Sequence, residues 1–165
     1  AEDWSLNNEF RYSKYYSPND AAIISLKFLA ASINSLSGDD VRLSKRIYLP
    51  SKRMRGFESG KIGPVDGDDY IGGNYASALN LATTLPGLLS ELEDVDFSLF
   101  FDAGNVWGVD YSDTVSSNNK IRSSTGLGVD WLTPIGPLSF SFTKTISKAD
   151  SDVTEKFRFD LGTSF

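Results

Sequence analysis

The sequence predicts an all-β fold, and within that class a part of an antiparallel transmembrane β-barrel. Apolar and polar residues alternate with a period of two in segment after segment, and glycines and charged residues stand inside the polar faces. Short turns also alternate with long connections along the chain. A strand directs successive side chains to opposite faces, so each segment has one apolar and one polar side. Membrane barrels show this pattern because lipid covers the outer face and the lumen is polar.

The C-terminal segment, about 155–165, shows the alternation best and is predicted to be the closing strand. Its apolar face is formed by Phe157, Phe159, Leu161, Thr163 and Phe165, and its polar face by Lys156, Arg158, Asp160, Gly162 and Ser164. Similar alternation predicts strands around 74–81, 95–104, 126–131 and 138–143. Looser patterns predict two earlier strands around 4–16 and 22–34, the second extending or resuming towards Tyr48. The sequence therefore predicts seven strands.

The connections and the strand count predict part of a larger barrel. Tight turns are predicted at 17–20 and 134–137, and longer connections at 50–70, 110–119 and 147–154. Seven strands do not form the even-numbered barrels that bacteria build, and lipid does not tolerate an open sheet edge. The soluble alternative is a β-sandwich, which also alternates. Faces rich in Phe and Trp, charge inside the opposite faces and the aromatic last residue favour the barrel.

Composition excludes several classes of function. The 165 residues include no Cys and no His, which excludes Ser-His and Cys-His catalysis and the commonest zinc sites. No run of 18 apolar residues is present, so no transmembrane helix is predicted. The net charge of −6 argues against a nucleic-acid partner. We expect a protein that is not an enzyme and that uses no cofactor and no metal.

Several segments together resemble the BamA family, the central subunits of the β-barrel assembly machinery. They are Met54–Pro64 with its Arg-Gly-Phe and Ile-Gly-Pro motifs, Ile71–Asn74, Phe100–Trp107, Ile121–Leu138 and the C-terminal Phe157–Phe165. Each motif alone is weak, but their order and spacing together are specific. The resemblance covers nearly the whole chain and is firmest from Lys52 onward.

The resemblance implies a fold and a location. Residues 1–165 would be the C-terminal part of one outer-membrane β-barrel domain, forming the last seven strands of a barrel of about sixteen. The loop at about 50–70, with the Arg-Gly-Phe motif, would fold back into the lumen. The first strands and the periplasmic repeats of the family would lie outside this sequence. The expected location is the bacterial cell outer membrane.

The resemblance also implies a loop-barrel clamp formed by Arg55, Gly56, Phe57, Asp102 and Asn80. Arg55 would reach Asp102, which the alternation places on the lumen face, because a guanidinium binds a carboxylate in a bidentate way and stays charged when buried. Gly56 would allow a tight turn or a close approach to the wall, and Phe57 would pack against apolar lumen surface. Asn80 stands where members often have a second carboxylate. It can accept a hydrogen bond but has no charge, so the clamp would depend more on Asp102.

A second implied site is the closing strand, with Phe157, Phe159, Leu161, Gly162 and Phe165. It resembles the β-signal by which the machinery recognises nascent barrels, and it would pair with the first strand at a seam that opens towards lipid. Unpaired N–H and C=O groups on a strand edge can template an incoming strand. Gly162 would weaken this strand locally.

The function implied by the resemblance is the folding and insertion of β-barrel proteins into the outer membrane. The expected partners are outer-membrane lipid, nascent β-barrel proteins and accessory assembly lipoproteins, with no nucleic acid. The alternatives are a polypeptide translocator of the same superfamily, of the two-partner secretion or TamA-like type, and a passive porin. A lumen-filling loop disfavours the porin, whereas alternation and charge do not separate assembly from secretion. Ile62-Gly63-Pro64 and the Pro134–Pro137 turn favour BamA.

Overall fold

The computed structural model describes residues 4–36, 46–49, 53–58, 60–66, 69–86, 94–108, 120–150 and 152–161. These residues form a seven-stranded sheet and a separate two-stranded sheet, which confirms the predicted all-β fold and the seven predicted strands. The strands are β1 (Ser5–Asn19), β2 (Ala22–Ser35), β3 (Val65–Asp66), β4 (Asp69–Tyr70), β5 (Tyr75–Pro86), β6 (Val95–Trp107), β7 (Arg122–Thr133), β8 (Gly136–Ser147) and β9 (Phe157–Leu161). Across this described part of the chain, no helix has the length and apolar character needed to cross a membrane.

The large sheet has the order β1-β2-β5-β6-β7-β8-β9, and every neighbouring pair is antiparallel. Strands adjacent in space therefore follow each other along the chain, with β3 and β4 set aside in the connection from β2 to β5. This meander is the topology of up-and-down barrels. Short turns join β1 to β2 and β7 to β8 at one end of the sheet, while β2, β6 and β8 end, and β5, β7 and β9 begin, at the other.

The register assigns each side chain to a face. Asn80 lies opposite Asp102, and Asp102 lies opposite Ser124. Directly opposed residues share a face, so these three lie on the inner face, which the β2–β5 loop covers. The outer face carries large apolar side chains that remain about half exposed, such as Leu99 at 55% and Phe142 at 50%. A continuous exposed apolar surface of this kind is expected where lipid is the solvent.

Several strand boundaries differ from those predicted; for example, β5 ends at Pro86 rather than at about 81, and β7 begins at Arg122 rather than at about 126. β2 ends at Ser35; the predicted extension or resumption towards Tyr48 falls mostly on residues 37–45, which lie outside the described residues, and Ile47 forms an isolated bridge with Gly73. The closing strand begins at Phe157 rather than at about 155, because Thr154 and Glu155 pair with the loop and not with β8. Gly162 and Phe165 lie outside the described residues.

The buried apolar cluster lies on the inner face, between the loop and the barrel wall. Its members are Leu29, Leu49, Met54, Phe57, Ile62, Ala76, Ala78 and Val106, with Ile47 packed against them. Small wall residues make room for the loop, since a Cβ on Gly104 would lie 2.9 Å from the Met54 sulfur. The inner face is therefore apolar near the long connections, where loop side chains replace water, and polar nearer the short turns.

We predict that Gly126→Ala destabilises the barrel wall. A Cβ at this β7 position would lie 2.2 Å from the Phe142 carbonyl oxygen and 2.7 Å from the Phe100 ring. The cost should reach the upper part of the range of about 1–3 kcal/mol that is typical of overpacking. The measurement is the temperature at which heating converts the full-length protein from its folded, faster-migrating form to its unfolded form on a semi-native SDS gel. Gly128→Ala is the matched control.

At Gly128 the nearest obstacle is the Ser98 hydroxyl at 2.5 Å, the end of a side chain that can rotate away. Gly128→Ala should therefore lower the transition less than Gly126→Ala. If Gly128→Ala lowered the transition temperature more than Gly126→Ala, the close approach of the Phe142 backbone would not be what requires glycine at position 126.

Candidate functional site: the loop-barrel clamp

Gly56 brings the loop against the inner wall. Its φ is +90°, a conformation that residues with a Cβ adopt only with strain. A Cβ at this position would also lie 2.3 Å from the Thr143 methyl group of β8. The backbone turns here and directs Phe57 into the apolar cluster, where its ring is 1% exposed.

Arg55 and Asp102 form a buried bidentate ion pair. Arg55 Nε donates to Asp102 Oδ2 at 2.7 Å, and Nη2 donates to Oδ1 at 2.7 Å. The backbone N–H of Arg55 adds a third hydrogen bond to Oδ2 at 3.1 Å. The two side chains are 8% and 0% exposed. Charge-assisted, two-pronged contacts of this kind are among the strongest that side chains make, so Arg55 holds the loop in one position on β6.

The rest of Arg55 is held by the same wall. Its guanidinium carbon lies 3.9 Å from the centre of the Phe100 ring, a cation–π contact. Its carbonyl oxygen accepts a hydrogen bond from the Ser124 hydroxyl at 2.5 Å. Strands β6 and β7 therefore both contribute to the position of this loop residue.

Asn80 acts on Asp102 rather than on Arg55. Its Nδ2 donates to Asp102 Oδ1 at 2.8 Å and to the carbonyl oxygen of Arg53 at 2.8 Å. Its Oδ1 accepts a hydrogen bond from Arg53 Nη1 at 3.4 Å. The sequence pointed to Asn80 as an acceptor that lacks a charge. The structure instead shows that the neutral amide gives the Asp102 carboxylate a further donor, a contact that a second carboxylate could not make.

A second buried ion pair, absent from the sequence analysis, joins Arg122 of β7 to Asp152. Arg122 Nε donates to Asp152 Oδ2 at 2.8 Å and Nη2 to Oδ1 at 3.1 Å, and both side chains are 0% exposed. Arg122 Nη1 also donates to Asn105 Oδ1 and, at 2.9 Å, to the carbonyl oxygen of Lys120. The N–H of Ala149 donates to Asp152 Oδ2 at 2.8 Å.

Arg122 could have been found from its position in the alternation. It shares the parity of Ser124 and Gly126, and so lies on the inner face, and it stands in a segment that carries the family resemblance. Its partner carried no comparable signal, because Asp152 lies in a stretch that reads as a solvated polar loop.

The closing strand is apart from the clamp side chains but connected to them through the backbone. Phe157, Phe159 and Leu161 lie on the outer face of β9, where they pair with Phe142, Phe140 and Leu138. The connection just before β9 runs along the loop. There the N–H of Glu58 donates to the Val153 carbonyl at 2.9 Å, and the N–H of Glu155 donates to the Gly56 carbonyl at 2.8 Å.

Polar groups dominate the space beside the clamp. A cavity of about 270 Å³ is lined by Lys27, Arg53, Arg55, Asn80, Ser98 and Asp130, among others. In the loop, burial raises the pKa of the Tyr70 hydroxyl, and the carboxylates of Asp152 and Glu58 raise it further, so the phenol stays neutral at physiological pH. No group of three or more His, Cys, Asp or Glu side chains that could hold a metal ion occurs among the residues that the structure describes.

This sheet is apolar on its outer face and charged on its inner face, and a loop is ion-paired to the inner wall. These features define a segment of a membrane β-barrel that carries its own loop in the lumen. The family model of the Omp85 superfamily domain matches residues 3–165, and the chain belongs to this superfamily. Membership places the chain in the outer membrane.

Proteins named outer membrane protein assembly factor BamA are among the relatives. That of Neisseria meningitidis is 35% identical over 140 residues, covering 68% of this chain and 17% of its own length. That of Neorickettsia risticii is 30% identical over 164 residues, covering 97% of this chain and 22% of its own length. The crystal structure of BamA from Haemophilus ducreyi lacking POTRA domains 1–3 matches with a TM-score of 0.81 at 27% identity, covering 94% of this chain and 34% of that one. The chain thus spans about a fifth of these two curated relatives.

We predict that Arg55 and Asp102 are strongly coupled in a double-mutant cycle. Arg55→Ala or Asp102→Ala alone should lower the free energy of unfolding of the full-length protein by about 3–5 kcal/mol, because each leaves a buried charge without its partner. The double variant should lose less than the sum, since it strands neither charge. The measurement is urea unfolding in detergent micelles.

Arg11→Ala provides the control for this cycle. Arg11 pairs with Glu9 on β1, and the two side chains are 68% and 41% exposed, so its loss should cost about 0–1 kcal/mol. Additive effects of Arg55→Ala and Asp102→Ala would contradict the assigned pairing.

Proposed function

We propose that the full-length protein containing this chain folds β-barrel proteins and inserts them into the outer membrane, without enzymatic chemistry and without a cofactor. The observation that carries the proposal is the loop fixed on the inner wall by the buried Arg55–Asp102 pair, in a chain whose relatives are named assembly factors. The proposed partners are outer-membrane lipid, nascent β-barrel proteins and accessory assembly lipoproteins.

The position of the loop supports assembly over passive diffusion. Met54, Phe57 and Ile62 are buried against the inner face, with exposed fractions of 2%, 1% and 3%. A porin needs a water-filled lumen lined by polar groups. A loop held by an apolar cluster and a buried ion pair occupies that space instead.

The edge of the sheet supports a role in strand templating. Among the described residues β9 spans Phe157–Leu161, and residues 144–147 of β8 lie beyond the β8–β9 ladder. Exposed N–H and C=O groups at a sheet edge can pair with an incoming extended segment. We propose that a nascent barrel strand pairs at this edge, next to the outer-face residues Phe157, Phe159 and Leu161. Lipid contact on the same face would keep the substrate at the membrane.

Depletion of the full-length protein in its native cell tests the proposed function. We expect the levels of several unrelated outer-membrane barrels to fall together. If these barrels stay level while one secreted or surface protein disappears, the protein belongs to a translocator branch of the superfamily and the proposal is wrong.

We predict that Arg55→Ala in the full-length protein impairs assembly more than it lowers the level of the protein itself. Arg55→Lys should give partial activity, because lysine keeps the charge but lacks the planar fork. The measurement is the amount of folded outer-membrane barrels after the wild-type copy is replaced, with Arg11→Ala as a matched control that should behave as wild type. Wild-type assembly by Arg55→Ala at an equal level would refute a role for the clamp.

A further inference from the structure

The connection before β9 lies on the loop although β8 has room for it. The β8–β9 ladder covers Leu138–Phe142 of β8, and one more hydrogen bond joins the Thr143 N–H to the Lys156 carbonyl at 2.8 Å. Beyond that point the chain leaves the ladder, and Thr154 forms a bridge with Phe57 of the loop. Residues 153–155 therefore pair with the loop while 144–147 of β8 continue without β9.

The sequence of this connection also fits the vacant part of the β8 ladder. Continuing the register past the aligned Phe142 and Phe157 would place Glu155 opposite Lys144 and Val153 opposite Ile146. Lys144 and Ile146 are exposed like Phe142, which places these positions on the outer face, although β8 is bulged against β7 between Thr145 and Ser147. Opposite charges and apolar pairs are favourable cross-strand neighbours. The segment can thus pair either with the loop or with β8.

Asp152 favours the loop position. There its carboxylate is fully buried and accepts hydrogen bonds from Nε and Nη2 of Arg122 and from the N–H of Ala149. Moving the connection from the loop to β8 would place it on a strand two positions away from β7, about 9–10 Å at ordinary strand spacing. Asp152 would then leave the position in which its carboxylate meets two guanidinium nitrogens and the Ala149 N–H, and loss of that alignment is costly for a buried charge.

We propose that Arg122 and Asp152 are positioning residues whose ion pair keeps the connection on the loop and β9 short. Release of the pair lets residues 152–156 join the β8 ladder and lengthens the closing strand towards the long connections. The ion pair thereby determines how much of the β8 edge is free to pair with an incoming strand. This consequence rests on the proposed function. The same connection is bonded to Gly56 and Glu58, so the clamp and the second ion pair support one another.

Disulfide trapping in the full-length protein tests the proposal, and these 165 residues contain no native cysteine to interfere. The reporter is the pair Ile146→Cys and Val153→Cys, which meet in the extended ladder. With Asp152 intact, mild oxidation should cross-link a small fraction of molecules. Asp152→Asn should raise that fraction several-fold. Phe142→Cys with Phe157→Cys, aligned in the present register and lying on the same face, should cross-link fully in both backgrounds.

Glu155→Gln is the matched control, because it removes a carboxylate from the same connection. Glu155 pairs with Arg158 at 3.3 Å, and those side chains are 31% and 25% exposed. It should leave the reporter cross-link low, while Arg122→Lys should give an intermediate fraction. A reporter fraction that Asp152→Asn leaves unchanged, while the Phe142–Phe157 control cross-links fully, would overturn the proposal.

If Asp152→Asn prevents folding, the Phe142–Phe157 control pair will not cross-link. The Arg122→Lys variant then provides the test. If its reporter fraction is as low as that of the protein with native Arg122, the proposal is overturned. The trapping result does not depend on what the protein assembles. A negative depletion experiment would refute the proposed function and leave the positioning role of the ion pair intact. A negative trapping experiment would refute the positioning role and leave the proposed function intact.

Discussion

The carboxylate of Asp102 is fully buried in the barrel wall, and the arrangement of the loop follows from the need to neutralise it. A buried charge without partners costs several kcal/mol, so its donors must be close and well aligned. The wall supplies Asn80, which is neutral, and the positive charge comes from Arg55 in the loop. Satisfying Asp102 therefore requires the loop to lie in the lumen.

The ion pair and the apolar cluster contribute differently to this arrangement. Burial of Met54, Phe57 and Ile62 supplies a driving force that depends on area and has little directional preference. The bidentate contact specifies one register of the loop on the wall, because two nitrogen atoms must meet two oxygen atoms. Gly56 makes the two compatible, since any Cβ there would collide with Thr143.

Most of the fold and the centre of the site could be predicted from sequence because both leave local signals. Period-two alternation placed the seven strands and put Asp102 on the inner face. The motif around Arg55 identified its partner only with the help of the family resemblance. The Arg122–Asp152 pair was not predicted because Asp152 lies in a stretch whose pattern is that of a solvated polar loop. Nothing in the composition of a short polar stretch shows that one of its carboxylates is buried.

The difference between the predicted start of β9, at about 155, and its observed start at Phe157 also comes from tertiary contacts. Residues 155 and 156 continue the alternation of the closing strand, so local pattern favours a longer strand. The structure shows that the loop binds the N–H of Glu155 through the carbonyl of Gly56, whereas Lys156 still bonds to β8. Which of two partners a segment pairs with depends on tertiary structure, and the alternation of the sequence carries no information about it. The apolar part of the inner face was missed for the same reason, since it depends on which residues the loop covers.

Amide hydrogen exchange in the full-length protein, compared with its Arg55→Ala variant, tests most directly that one ion pair holds the loop on the wall. Exchange reports local opening, so protection should fall in 53–58 and 152–156 together while the β5–β6 ladder stays protected. Unchanged protection of the loop would show that the Arg55–Asp102 ion pair does not hold it on the wall. An equal loss of protection across the loop and the whole sheet would show the same.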